Sequence, residues 1–77
     1  MKNIETVIEK NEKTNEYGVK VVNELVRFDK AYSDGKIAKG YTEFVWYETV
    51  GGNGRRSHKM SYKTEAKIRK AMVEFGF

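Results

Sequence analysis

Two turn signals frame one aromatic segment in residues 33–62, which read SDGKIAKGYTEFVWYETVGGNGRRSHKMSY. The pair Asp34-Gly35 is typical of a two-residue β-hairpin loop, because its positive φ angles suit the twist of the strands on either side. The glycine-rich run 51–54 offers a second reversal. Folding the chain at both turns predicts a three-stranded antiparallel meander, with strands near residues 21–32, 37–49 and 56–62.

The register that these turns impose sorts the strand side chains onto two faces. Loops at Asp34-Gly35 and Gly52-Asn53 pair Tyr32 with Ile37, Phe28 with Tyr41, Val26 with Glu43, Val45 with Met60 and Tyr47 with His58. Because side chains alternate along a strand, one face should carry Val22, Val26, Phe28, Tyr32, Ile37, Tyr41, Val45, Tyr47, Met60 and Tyr62. The opposite face should carry Leu25, Phe44 and Trp46, and it is apolar enough to need a cover or a partner.

The C-terminal segment has the pattern of an amphipathic helix over residues 65–75. Thr64 is a suitable N-cap, Glu65 suits the first turn and Gly76 supplies a stop. Apolar residues recur at helical spacing at Ile68, Ala71, Met72 and Phe75. We therefore predict an α+β fold in which this helix packs on the meander face that contains Val26.

Two segments admit more than one interpretation. Residues 19–32 also fit a helical spacing, although their valines and the following Asp34-Gly35 favour a strand. Near the N-terminus, Ile4, Val7 and Ile8 suit either a short helix or a strand, and the stretch 9–16 is predicted to be a solvated connection. We find no internal repeat, so residues 1–77 are predicted to form a single small domain.

The distribution of charge is uneven along the chain. Its 15 Lys and Arg residues against 11 Asp and Glu residues give a net charge of +4. Residues 51–70 hold seven basic side chains against Glu65 alone, a local net charge of +6. Clustered charge of one sign attracts an oppositely charged surface and speeds encounter with it. This stretch predicts a partner with an acidic surface.

The side chains needed for catalysis are scarce. His58 is the only histidine and there is no cysteine, so neither a thiol nucleophile nor a recognisable serine–histidine pair is present. The acidic residues do not follow the spacing of a calcium loop. We therefore predict no catalytic residue, no cofactor and no metal. The lack of cysteine and of a long apolar run favours a cytoplasmic protein without a membrane partner.

The order of the predicted elements also allows an interpretation in which the chain binds nucleic acid. If residues 3–11 are helical, the order helix, three strands and helix resembles that of double-stranded-RNA-binding domains. In that family, basic residues at the start of the last helix contact phosphates. The resemblance implies this role for Lys63 and Lys67.

We expect a protein-binding modulator or inhibitor that acts by stoichiometric occlusion of a surface. In size and style the chain resembles small bacteriophage and mobile-element proteins, so the expected target is a host nucleic-acid-processing or defence protein, alone or in complex with nucleic acid. The alternative is an RNA- or DNA-binding domain that uses the basic surface of residues 55–70, and a homodimer through the face of Leu25 is a further expectation. The expected contact residues, in which aromatics and Arg act as anchors, are Phe44, Trp46, Arg55, Arg56, Lys59, Lys63, Lys67 and Lys70.

Overall fold

A computed structural model describes residues 1–52 and 54–77 of the chain. Its elements are the strands β1 (Lys2–Thr14), β2 (Lys20–Ala31), β3 (Glu43–Val50) and β4 (Arg56–Tyr62), followed by the helix α1 (Glu65–Phe75). The strands form one antiparallel sheet in the order β1-β2-β3-β4. The α+β class and the C-terminal helix are confirmed, but the sheet has four strands where the sequence predicted three.

The additional strand is the charged N-terminal segment. β1 pairs with β2 from Lys2 to Thr14. The prediction that residues 9–16 form a solvated connection is therefore wrong for residues 9–14, which belong to the strand. The turn between the two strands is held by Asn15, whose Oδ1 accepts hydrogen bonds from the backbone N–H groups of Tyr17 and Val19 at 2.9 and 3.0 Å. Because the chain begins with a strand, the element order implied by the RNA-binding resemblance is absent from the described residues.

The connection from β2 to β3 is longer than a two-residue loop. One bridge pairs Ala31 with Ile37, and regular pairing resumes only where Phe28 lies opposite Glu43. The side chain of Thr42 donates a hydrogen bond to Asp29 Oδ1 at 2.6 Å and holds the chain where it rejoins the sheet. The predicted pairs of Tyr32, Phe28 and Val26 are therefore wrong. Val26 lies opposite Val45, a shift of two residues that leaves the side chains of β2 and β3 on their predicted faces.

The pairing of β3 with β4 is confirmed in one half and wrong in the other. Tyr47 lies opposite His58 as predicted. A bulge at Lys59 of β4, opposite the step from Trp46 to Tyr47, then shifts the register, so that Met60 lies opposite Trp46 and not opposite Val45. A bulge adds one residue to one strand and reverses the faces beyond it. The predicted loop at Gly52-Asn53 includes Asn53, which lies outside the described residues.

The helix covers the face opposite to the predicted one. Its buried residues Ile68 and Met72 form a core with the sheet residues Leu25, Phe44 and Trp46. Met60 joins this core because the bulge in the sheet turns its side chain toward α1. Large flat and branched side chains fill the space between a helix and a sheet, which favours the face of Trp46 over the valine-rich face.

Phe77 completes the core, although the helical spacing of apolar residues predicted this role for Phe75. Phe75 belongs to the predicted apolar stripe but its side chain is exposed. Gly76 adopts φ 78°, a left-handed cap that turns the chain back, and the N–H of Phe77 donates to the carbonyl of Met72 at 2.8 Å. The Phe77 ring then packs edge-to-face on Trp46, 5.4 Å between centroids.

Replacing Thr64 with alanine is expected to lower the free energy of unfolding by about 1 kcal/mol. The Thr64 hydroxyl accepts a hydrogen bond from the N–H of Lys67, one of the four N–H groups that the first helical turn leaves without an internal partner. Thermal unfolding measures the loss. Thr64→Ser retains the hydroxyl and should unfold close to the wild type, whereas an equal loss in both variants would contradict a capping role.

Candidate functional site

The two predicted aromatic anchors are inside the protein. Trp46 has no exposed surface and Phe44 is 6% exposed, because α1 covers both. The expectation that they lie on an uncovered face is wrong. Trp46 Nε1 donates to Asn23 Oδ1 at 2.8 Å, and Asn23 Nδ2 donates to Asn11 Oδ1 at 3.3 Å. The predicted homodimer surface at Leu25 is covered in the same way.

Three of the seven basic residues in the 51–70 stretch are held in ion pairs within the chain. Arg56 bridges to Glu5 and Glu24, at 2.6 and 3.5 Å. Lys59 Nζ lies 3.1 Å from a carboxylate oxygen of Glu48 and 4.5 Å from the centroid of Trp46. The third is Arg69, which contacts Glu65 at 2.8 Å and Glu9 at 3.0 Å, and hydrogen bonds to Glu65 and then Glu9 raise its pKa. Much of the charge excess is therefore neutralised by acidic residues elsewhere in the fold.

The other four basic residues divide into two places. Lys63, Lys67 and Lys70 are exposed along one side of α1 and the turn before it, at spacings of four and three residues. Arg55 is exposed before the start of β4. Lys63 follows the end of that strand, whose seven residues span about 20 Å at 3.3 Å each. The predicted continuous basic surface is thus split between the two ends of β4.

The sheet face away from α1, which we call the uncovered face, has an apolar centre. Val26 and Val45 are buried there although no helix lies over them. Around them, the half-buried rings of Phe28 and Tyr47 meet edge-to-face at 6.1 Å, and Val7 on β1 is 49% exposed. The sequence placed Val26, Phe28, Val45 and Tyr47 on one face correctly but assigned that face to the helix, and it did not place Val7 there.

The uncovered face also carries charged side chains of both signs in equal number. The guanidinium of Arg56 lies 3.8 Å from the ring centroid of Tyr47 and extends across the face to its two carboxylates. By strand alternation and register, the charged residues of this face are Glu5, Lys10, Glu12, Lys20, Glu24, Lys30, Glu43 and Arg56. Because these charges balance, this face does not have the positive potential that phosphate groups require.

A shallow depression of about 240 Å³ lies beside the outer side of α1. Tyr62 at the end of β4 and Phe75 at the end of α1 both line it and are both exposed. The remaining lining residues are Lys67, Lys70, Ala71 and Glu74. We call this depression, together with the neighbouring Lys63, the helix-side groove. The sequence predicted its three lysines as contact residues, but it did not predict that role for Tyr62 or Phe75.

The only histidine packs against an aromatic ring. The His58 ring packs edge-to-face on Tyr47, 5.9 Å between centroids, at the rim of the uncovered face. In residues 1–52 and 54–77, no group of three potential metal ligands comes together. This arrangement gives His58 a packing contact on the sheet surface.

No helix among the described residues combines the length and the apolar character needed to cross a bilayer. Comparisons of the chain with protein-family models, with curated proteins and with solved structures found no match. The two surfaces described above are therefore the candidate binding sites.

Proposed function

We propose that the chain is a non-enzymatic modulator or inhibitor that binds a protein and occludes its surface stoichiometrically. The observation that carries this proposal is the uncovered face, where the partly exposed apolar side chains of Val7, Phe28 and Tyr47 lie among charged side chains of both signs. Protein interfaces are commonly built in this way, with a desolvated apolar centre and a polar rim. Tyr47 and Arg56 replace the anchors expected from the sequence, since Tyr and Arg are prominent among the residues that dominate interface energetics.

The position of Val7 gives the face a feature that a partner can use. Its side chain lies opposite the buried Val26 and remains 49% exposed. A partner that covers Val7 would bury the apolar surface that this side chain exposes and displace water from it. Burial of apolar surface gains about 25 cal/mol per Å², so this contact would provide the non-directional part of the affinity.

The partner that we propose is a host protein, or a protein–nucleic-acid complex, that belongs to a nucleic-acid-processing or defence system. Two features support this class of target. The chain carries no set of catalytic side chains, which suits action by occupancy, and the free lysines on α1 would complement an acidic surface or a phosphate-bearing one. A bacteriophage or mobile-element protein that antagonises its host is the setting that fits this proposal.

A pair of valine variants tests which surface binds the protein partner. Val7→Glu places a charge in the uncovered face and is expected to lower partner affinity by tenfold or more, which is about 1.4 kcal/mol. The matched control is Val73→Glu, because Val73 is 86% exposed on α1, away from the uncovered face. The partner is identified from the native host after nuclease treatment, and binding of the purified protein is then measured by calorimetry.

The outcomes of this test separate the two surfaces. Loss of binding in Val7→Glu with retention in Val73→Glu supports the uncovered face as the interface. Retention in Val7→Glu, with circular dichroism showing a folded protein, would remove the observation on which the proposal depends. Equal loss in both variants would also contradict it, since the two substitutions alter opposite sides of the molecule.

A further inference from the structure

We propose that the helix-side groove is a second binding site, for a single strand of nucleic acid. Phosphates would contact the ammonium groups of Lys63, Lys67 and Lys70, and a base would stack on Tyr62 or Phe75. This site lies on the opposite side of the sheet from the uncovered face. It is therefore an additional function: the protein interface proposed above lies on the uncovered face, and only the class of partner proposed there draws on the same lysines.

The electrostatic part of the argument is that these three lysines are free to bind an anion. In the part of the chain that the structure describes, none of them lies within 4.0 Å of a carboxylate oxygen, whereas Arg56, Lys59 and Arg69 all do. The three lysines occupy one side of the helix and its leading turn, over about 10 Å at 1.5 Å per residue. Such a row of solvated cations follows a phosphate backbone and releases its counterions on contact.

The aromatic part of the argument separates a single strand from a duplex. Phe75 is 60% exposed at the end of α1, and Tyr62 is exposed on the other side of the same groove. An exposed ring beside a row of cations offers a stacking surface to an unpaired base, and every base has a face that can use it. In a duplex the bases are stacked on one another, so they cannot reach these rings.

Glu74 determines how the strand lies in the groove. Its carboxylate lines the same depression as Lys70 and Phe75 and repels phosphate. The backbone therefore follows the line of Lys63, Lys67 and Lys70, and the bases point toward Glu74 and the rings. In that position the carboxylate accepts a hydrogen bond from a base N–H group, which uracil and thymine offer at N3.

The test is fluorescence anisotropy with a labelled oligouridylate, a labelled oligothymidylate and a duplex of equal length, over a range of salt concentrations. For three phosphate contacts the log–log salt slope for a single strand is about −2. Lys63→Ala/Lys67→Ala/Lys70→Ala should bring this slope close to zero and weaken binding by about tenfold or more at low salt. The control is Lys2→Ala/Lys36→Ala/Lys39→Ala, which removes the same charge from exposed lysines elsewhere.

Leucine variants test stacking separately from charge. Tyr62→Leu and Phe75→Leu keep an apolar side chain but remove the ring, and the double variant should weaken single-strand binding by about fivefold or more with an unchanged salt slope. RNA and DNA can both make the phosphate and stacking contacts proposed for this site. Comparison of the oligouridylate with the oligothymidylate shows which of the two binds more tightly. Val7→Glu should bind both as the wild type does, so failure of the protein interface leaves this result intact.

Several outcomes would overturn the inference. The duplex could bind as tightly as the single strands, or the control lysine variant could lose as much affinity as the groove variant. The wild type could fail to bind either single strand at low salt. Equal competition by an acidic peptide would show that the lysines recognise negative charge of any kind, and that outcome too would reject a nucleic-acid site.

Discussion

Trp46→Ala lowers the free energy of unfolding by about 3–5 kcal/mol, the cost of removing a large buried aromatic side chain. Trp46 is fully buried between the sheet and α1, where it contacts Phe77 and donates a hydrogen bond to Asn23. A domain of this size has a total stability on the order of 5 kcal/mol. The variant should therefore be substantially unfolded at 25 °C, as measured by urea denaturation followed by circular dichroism.

Two controls separate burial of the ring from its hydrogen bond. Trp46→Phe keeps an aromatic ring but leaves Asn23 Oδ1 without its indole donor, so an intermediate loss of about 1–3 kcal/mol is expected. Tyr17→Ala removes an aromatic side chain that is 81% exposed and should change stability by less than about 0.5 kcal/mol. A loss below about 1 kcal/mol in Trp46→Ala would contradict the placement of this residue in the core.

Asp29→Asn has the second largest expected effect, a loss of about 2 kcal/mol at neutral pH. The buried carboxylate accepts hydrogen bonds from the Thr42 hydroxyl at 2.6 Å and from Arg27 Nε at 2.9 Å. A hydrogen bond to a charged group contributes about 1.5–3 kcal/mol, and asparagine keeps the shape without the charge. Because Thr42 sits where the chain rejoins the sheet, the substitution should also loosen the start of β3, which hydrogen exchange measures.

The same carboxylate predicts how stability changes in acid. The hydrogen bond from Thr42 lowers the pKa of Asp29 below its ordinary value of 3.8, with Arg27 adding to the effect and burial opposing it. A lowered folded-state pKa contributes stability that is present above the unfolded pKa and is lost as the pH falls through the folded pKa. The wild type should therefore lose stability relative to Asp29→Asn below about pH 4.

Asp34→Asn provides the matched control for this substitution. Asp34 is exposed, and its Oδ1 accepts a hydrogen bond from the N–H of Lys36, a role that an asparagine side chain can fill. It should unfold close to the wild type at neutral pH and keep the wild-type decline in acid. If Asp29→Asn declined in acid as steeply as the wild type, the acid dependence would have another origin.

Local signals were sufficient to predict the elements at the end of the chain. The cap at Thr64, the apolar spacing and the stop at Gly76 determine α1 through contacts within a few residues, and each is observed. The pairing of Tyr47 with His58 was predicted correctly because it depends on a nearby turn. β1 was predicted as either a short helix or a strand, because an exposed edge strand rich in Lys, Glu, Asn and Thr has little apolar periodicity to reveal it.

Strand pairing that depends on residues distant in the sequence was harder to predict. The hydrogen bond from Thr42 to Asp29, thirteen residues away, fixes where the loop before β3 ends. The bulge opposite the step from Trp46 to Tyr47 is not indicated by any residue pattern in the sequence. A register shift of two residues leaves each side chain on the same face of the sheet, whereas a bulge moves the side chains beyond it to the opposite face. This difference explains why Val26 and Val45 share the predicted face while Met60 does not.

The amino-acid sequence alone determined the helix, the strands β2 to β4 and the presence of a surplus of positive charge, because these follow from local propensity and composition. Only the tertiary structure decided which sheet face α1 covers, and with it whether Trp46 is a core residue or a surface anchor. It also decided which cations are free, since Glu5, Glu9 and Glu24 reach Arg56 and Arg69 only after the strands pair. The physical reason is that burial and charge neutralisation depend on neighbours distant in the sequence, which a one-dimensional pattern does not contain.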